Sequence, residues 1–181
     1  MGLHEDIHVL HEHEVFAGPG LAVVQEDIHI APGKQRRHLT VRHPGAVVML
    51  PCHTDGTLLV IKQYRYSLRQ TLLEFPAGTL EAGELPLVCA QRELAEEVGQ
   101  AAGRWEYLGV LHPAPGFCNE VQYCFFATGL SPCTAQQDDD ELIEVVPMQS
   151  RQVEQAIRDG SMTDGKSIAL YTRAKLRGFI A

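Results

Sequence analysis

The alternation of apolar and polar positions divides the chain into short extended segments, followed by a mixture of strands and helices. Residues 21–30 and 37–43 have strand character and are separated by Ala31-Pro32-Gly33-Lys34, a turn signal. The second segment alternates polar with apolar or threonine positions, as a half-exposed strand does. After Pro44-Gly45, residues 46–50 are apolar throughout, which predicts a strand buried on both faces. Residues 57–63, 72–75, 105–111, 121–128 and 143–147 predict further strands. Residues 86–98 place Leu87, Ala90, Leu94 and Val98 on one stripe, with Pro86 in the first turn and Gly99 just past the end. That is the pattern of an amphipathic helix. Residues 151–158 and 167–177 predict two more helices, with Gly160 and Gly178 as stops. Residues 1–13 carry His4, His8, His11 and His13 and predict a frayed, solvated terminus rather than a metal-binding tail.

This order predicts an α/β (α+β) domain, a mixed sheet with helices packed on it. Residues 1–44 predict a small antiparallel β unit, and residues 45–181 the main domain. With 181 residues, 45% of them hydrophobic and 21% charged, the chain can bury a core of its own.

Charge and cysteine content narrow the function. A net charge of −8 repels a phosphate backbone and disfavours nucleic-acid polymers as partners. A small anionic substrate then requires local positive charge, which a divalent metal can supply. Cys52, Cys89, Cys118, Cys124 and Cys133 are odd in number and show no CxxC spacing, which predicts a reducing compartment. No apolar run approaches the ~20 residues of a membrane helix, and no leader pattern opens the chain. A cytoplasmic protein without membrane contact is expected.

The candidate chemistry lies in residues 78–100. Glu93, Glu96 and Glu97 fall within one arc at the rim of the apolar stripe. Such carboxylates repel one another by roughly 0.2–0.5 kcal/mol per pair on an exposed helix. Arg92 can pair with Glu96 at i, i+4, which answers one of the three charges. A divalent cation would answer the others, and oxygen ligands select magnesium or manganese over zinc. An ordinary acidic, solvent-facing helix fits the same residues. The preceding loop tips the balance: Pro76-Ala77-Gly78 and Gly83 allow a tight curl that can aim a main-chain carbonyl at a metal. Glu84 lies at the helix start, where a carboxylate is favoured.

Gly78, five residues, Glu84, seven residues, Arg92-Glu93-Leu94, one residue, Glu96-Glu97, one residue, Gly99 resembles the Nudix box in full. The one departure is Gln100, where the family has an aliphatic residue, and it touches packing rather than chemistry. The resemblance implies a Nudix-type α/β/α sandwich preceded by the N-terminal β unit. It implies Glu93 and Glu97 as metal ligands, Glu96 as a ligand or orienting group, and the Ala77 carbonyl as a further ligand. Arg92 and Glu84 would form an ion pair fixing loop to helix, with Gly78 and Gly99 as structural support.

Three further features resemble the ADP-ribose pyrophosphatase subfamily. Pro115 and Gly116 lie in a proline-centred loop that ends at Glu120, where substrate contacts are implied. Gln63-Tyr64-Arg65-Tyr66 and Leu73-Glu74-Phe75-Pro76 lead into the box, and Arg65 could grip a phosphate. Asp138-Asp139-Asp140-Glu141-Leu142-Ile143-Glu144 resembles an acidic closing loop, in which Glu141, then Glu144, would be a third metal ligand or the catalytic base. The implied reaction is magnesium-dependent cleavage of a diphosphate linkage, with water attacking one phosphorus in line. ADP-ribose would give AMP and ribose 5-phosphate. The resemblance also implies a homodimer built through the N-terminal strands, with Phe16 as a candidate for stacking on the base. Two other readings fit: a Nudix hydrolase for GDP-mannose or a dinucleoside polyphosphate, and a non-catalytic nucleotide-sugar sensor.

Overall fold

The computed structural model describes residues 6–135 and 142–180. Glu141 and the whole acidic run before it, Asp138–Asp140, therefore lie outside the described residues. The chain divides into two compact units, residues 1–44 with 112–121, and residues 45–111 with 122–181.

In the first unit, β1 (His8–Gly18), β2 (Leu21–Ala31) and β3 (Lys34–Arg42) form an antiparallel sheet in the order β1-β2-β3. The turns between them use Gly20 and Gly33 at positive φ, the left-handed region that hairpin turns require. The expected frayed terminus is corrected for residues 8–13, which belong to a strand, though an exposed one; residues 1–5, with His4, lie outside the described residues. Polar composition hid the strand. Its order comes from pairing with β2, including stacked His8 and His29 rings with centroids 5.0 Å apart, and not from an apolar face. Residues 112–121 form no regular element. They dock on β3 through Val41 N–H to Phe117 O at 2.7 Å and Asn119 N–H to Val41 O at 3.1 Å.

The second unit contains β4 (Ala46–Pro51), β5 (Thr57–Arg65), β6 (Gln70–Glu74), β7 (Ala77–Thr79), α1 (Pro86–Val98), β8 (Gln100–Leu111), β9 (Gln122–Pro132), β10 (Ile143–Gln149), α2 (Ser150–Asp159) and α3 (Gly165–Leu176). One sheet has the order β7-β4-β9-β8, with β4 parallel to β9 and antiparallel to β7. The other has the antiparallel order β10-β5-β6.

Alternation along the central strands sorts the core into two layers. Val47 and Met49 of β4, Leu59 and Ile61 of β5, and Phe125 and Ala127 of β9 pack with Cys89, Ala90, Leu94 and Val98 of α1. The intervening residues Val48, Leu50, Leu58, Val60, Cys124 and Phe126 pack with Val153 and Ala156 of α2 and Leu170, Tyr171 and Ala174 of α3. Successive side chains of a strand point to opposite faces, so strands apolar throughout separate α1 on one side from α2 and α3 on the other. This is the α/β/α sandwich. Among the described residues no helix is long and apolar enough to cross a membrane.

Candidate active site

The site is built on α1 and the loop before it. The helix starts at Pro86, and its N-cap Leu85 makes no side-chain cap. Gly99 ends it at φ 68°, its N–H returning to the carbonyls of Ala95 and Leu94. The buried stripe differs from the expected one. Leu87 is exposed, and the inner face carries Cys89, Ala90, Glu93, Leu94, Glu97 and Val98. Two of the three helix glutamates of the box thus belong to the buried face rather than its rim: Glu93 is 9% exposed and Glu97 3%.

Burying carboxylates costs several kcal/mol unless they are paired or hydrogen-bonded, and the structure supplies partners for both. Glu97 Oε2 accepts the Ala77 N–H at 2.9 Å. Glu93 Oε1 accepts Arg92 Nη1 at 2.8 Å, and the same nitrogen reaches Glu96 Oε2 at 2.9 Å. Arg92 therefore answers two of the helix carboxylates rather than one. Its Nε and Nη2 hold both oxygens of Glu84 at 3.0 Å. Glu84 also accepts the Glu81 N–H at 3.0 Å. The Arg92 hydrogen bonds hold the Glu84 carboxyl down at about 2, and Glu84 in turn raises the guanidinium. Glu84 does not cap α1, because Leu85 holds the N-cap position; it locks the loop to the middle of the helix instead.

Two glycines are required by geometry. Gly83 has φ 78°, a region that favours glycine. Gly78 has an ordinary φ but no room: a Cβ there would lie 1.8 Å from Cδ of Glu93.

The strand leading to Ala77 carries a second ionic group. Glu74 is fully buried and held bidentately by Arg65, Nε to Oε1 at 2.8 Å and Nη2 to Oε2 at 2.6 Å. Lys166 Nζ donates to the same carboxylate. Burial pushes the Glu74 carboxyl up, but the Arg65 hydrogen bonds and the Lys166 charge outweigh it and hold it below the usual range. The hydrogen bond to Glu74 likewise raises Arg65, and the Glu97 charge adds to the effect. Arg65, expected to grip a phosphate, directs these two guanidinium donors to Glu74. Lys166 was not legible as a site residue, because 92 positions separate it from Glu74.

The remaining expected residues lie on other elements. Glu144 on β10 pairs across the sheet with Lys62 at 3.2 Å and is largely exposed. Pro115, Gly116 and Glu120 belong to the first unit, with Pro115 and Gly116 exposed in the turn that the Phe117 and Cys118 N–H groups close onto Ala114 O. Phe16 is an exposed residue of β1. A cavity of about 350 Å³ flanks the end of α1, lined by Glu96, Glu97, Gly99, Cys133, Ile143 and Val145 among others.

Among the described residues, no three His, Cys, Asp or Glu side chains converge as a ready-made metal cage. Two buried carboxylates beside a main-chain loop still fit a hard divalent ion. Magnesium is typically held by one or two carboxylates, with water and substrate phosphate completing its shell. The close approach of Gly78 to Glu93 and the anchoring of Ala77 to Glu97 place loop and carboxylates together for that donor set.

The NUDIX domain family model matches residues 41–171. The chain is 33% identical to an ADP-ribose pyrophosphatase of Bacillus subtilis, over 85% of this chain and 84% of that one. It is 32% identical to a methanol dehydrogenase activator of Bacillus methanolicus, over 86% and 85%. It is 31% identical to a GDP-mannose pyrophosphatase of Yersinia pestis, over 81% and 78%. The solved structure of an ADP compounds hydrolase superposes with a TM-score of 0.84 over 98% of this chain and 99% of that one, at 21% identity, which speaks to the fold alone. With the family match running through β4, the loop and all of α1, the chain belongs to the Nudix family as a pyrophosphohydrolase.

Proposed function

We propose that this enzyme hydrolyses the diphosphate bond of ADP-ribose or a closely related nucleoside diphosphate sugar, using Mg²⁺, with Mn²⁺ able to replace it. The observation that carries the reading is the pair Glu93 and Glu97, buried one turn apart on α1 beside the Ala77-Gly78 loop. The likeness to an ADP-ribose pyrophosphatase over most of both chains supports the substrate class. When bound, the metal ion neutralises charge on the diphosphate oxygens.

The chain's own residues then have separable tasks. Glu93, Glu97 and the Ala77 carbonyl hold the ion, and Glu96 orients its shell. Arg92 and Glu84 tie loop to helix so that these oxygens are preorganised. Glu141 orients the attacking water and takes its proton, with Glu144 as the second candidate. Arg65, Pro115, Gly116 and Glu120 are assigned to substrate binding. The products are a nucleoside monophosphate and a sugar phosphate. We further propose that residues 1–44 form a separate β unit that joins two copies into a homodimer, and that the enzyme works in the cytoplasm.

The likeness to a GDP-mannose pyrophosphatase favours a second reading, with the same chemistry on GDP-mannose. Release of nucleoside monophosphate is measured from a panel of ADP-ribose, GDP-mannose and dinucleoside polyphosphates, with Mg²⁺ and with EDTA. ADP-ribose leading, with activity lost in EDTA, is the expected result. A lead by GDP-mannose moves the substrate, and undiminished turnover in EDTA overturns the metal role.

A further inference from the structure

The second ionic group lies outside the box, yet its contacts run into the loop that the box requires. Four consecutive residues are each fixed, and no two of them share a partner. The Glu74 side chain is held by Arg65 and Lys166. The Phe75 N–H donates to Ser167 Oγ at 2.7 Å. The Pro76 carbonyl accepts the Met49 N–H at 2.9 Å, and the Ala77 N–H donates to Glu97 Oε2 at 2.9 Å.

Two of these partners, Lys166 and Ser167, lie in the first turn of α3, and both are organised by one residue. Asp164 caps the helix by accepting the Ser167 N–H at 3.0 Å and the Ser167 hydroxyl at 2.5 Å. It also pairs with Lys166 Nζ at 3.1 Å. The Ser167 hydroxyl therefore donates to Asp164 while accepting from Phe75, so its orientation is set. Lys166 is 11% exposed and stands between two carboxylates. With Arg65 it gives a group of two positive and two negative charges, neutral as a whole.

A lysine this withdrawn from water forgoes most of its hydration. Simple anchoring of α3 would be served as well by an apolar side chain. What an ammonium adds is a directional hold on Glu74, three residues before Ala77.

We propose that Lys166 is a positioning residue for the box: by clamping Glu74 together with Arg65, it sets the backbone of residues 74–77 so that Ala77 meets Glu97 in the geometry a divalent ion requires. The proposal rests on the metal role given to Glu97 and Ala77 above. It assigns α3, remote in sequence from the box, a part in metal affinity. Supporting residues of this kind typically change metal affinity by about 10–100-fold when removed.

The test compares wild type, Lys166→Met and Lys166→Arg. Mn²⁺ binding to the substrate-free protein is read by electron paramagnetic resonance, with kcat, KM and thermal midpoint measured alongside. Lys166→Met is expected to weaken Mn²⁺ binding by about tenfold or more and to lower kcat with little change in KM. Lys166→Arg, which keeps the charge, is expected to recover most of both losses. Wild-type Mn²⁺ affinity in Lys166→Met, with only the thermal midpoint lowered, overturns the proposal and leaves Lys166 a packing residue. If the buried Glu74 charge prevents Lys166→Met from folding, Glu74→Gln/Lys166→Met removes that charge as well. The double variant is then expected to fold and still bind Mn²⁺ weakly, and wild-type affinity there also overturns the proposal. A wild-type protein that binds no Mn²⁺ removes the metal reading and this one together. One that binds Mn²⁺ but cleaves no nucleotide sugar removes the substrate assignment alone, and the Mn²⁺ comparison still decides Lys166.

Discussion

Replacing Gly78 with alanine puts a methyl group where the Glu93 side chain now lies. The added carbon would sit 1.8 Å from Cδ, 1.9 Å from Oε1 and 2.3 Å from Cγ of Glu93, against an ordinary contact of 3.4 Å or more. The backbone at Gly78 is not in the left-handed region, so alanine adopts it without strain, and the clash must be relieved by movement. The obstructing atoms are the end of a flexible side chain, so Glu93 swings away by more than about 1 Å rather than the loop unfolding. An off-rotamer side chain costs about 0.5–1.5 kcal/mol, which lowers the thermal midpoint by only a few degrees in a chain of this size. Misplacing a reacting group by about 1 Å costs roughly a hundredfold in rate, equivalent to about 2.7 kcal/mol of transition-state stabilisation. Gly78→Ala should therefore fold normally, melt within a few degrees of wild type and lose about two orders of magnitude in kcat/KM for ADP-ribose. Steady-state AMP release and a thermal melt on the same preparation decide it. Near-normal turnover in a folded Gly78→Ala protein would refute both the metal role of Glu93 and the reading of Gly78 as the space that admits it.

Other consequences are equally direct. Glu97→Gln keeps an oxygen able to accept the Ala77 N–H but loses the charge; turnover should fall by orders of magnitude while circular dichroism and the thermal midpoint stay close to wild type. Leu94 is fully buried against β4, β5 and β9, so Leu94→Ala should cost about 2–5 kcal/mol, read in urea unfolding; a loss below 1 kcal/mol would contradict the packing described. Glu84 titrates at about 2 when folded, against 4.5 for an ordinary glutamate. Because the folded value is depressed, the stability it supplies is present above pH 4.5 and lost as pH falls towards 2. Arg92→Met should flatten the melting profile across that window, and an unchanged slope would show that Arg92 does not hold Glu84. Burial pushes the Cys89 thiol up to about 12 and the Cys124 thiol to about 11. At pH 8 a thiol reagent should modify the partly exposed Cys118 and Cys133 first, and intact mass should show the buried thiols reacting only on unfolding.

The sequence carried much of this in periodicity. Residues 86–98 have helical spacing between Pro86 and Gly99, and α1 has those bounds. Residues 46–50 are apolar without a break, and β4 is buried on both faces. Elements held by pairing rather than by a face were not readable. β1 is almost wholly exposed, and β8 begins at Gln100, five residues earlier than periodicity suggests, because Gln100, Ala101 and Ala102 pair with Pro132, Ser131 and Leu130. The stripe of α1 was misjudged at one edge, since Leu87 is apolar yet exposed while Glu93 and Glu97 are buried. Apolar spacing counts side chains by type, and a carboxylate held by Ala77 N–H or by Arg92 escapes that count. The Glu74–Lys166 contact joins strand to helix across 92 residues, a distance over which single-chain pattern carries no signal.

The Met49 amide has a consequence for how motion at this site can be observed. Its hydrogen goes to the Pro76 carbonyl, although Met49 itself is wholly buried in β4, between β7 and β9. An amide proton so placed is shielded from solvent deuterium until residues 74–77 lift away, whereas the amides laddered between β4 and β9 are released only when the sheet itself comes apart. Comparing their exchange rates separates local opening of the loop from global unfolding within a single strand. Any ion or substrate that tightens the loop would slow Met49 relative to its neighbours, which makes this one amide a built-in reporter of occupancy.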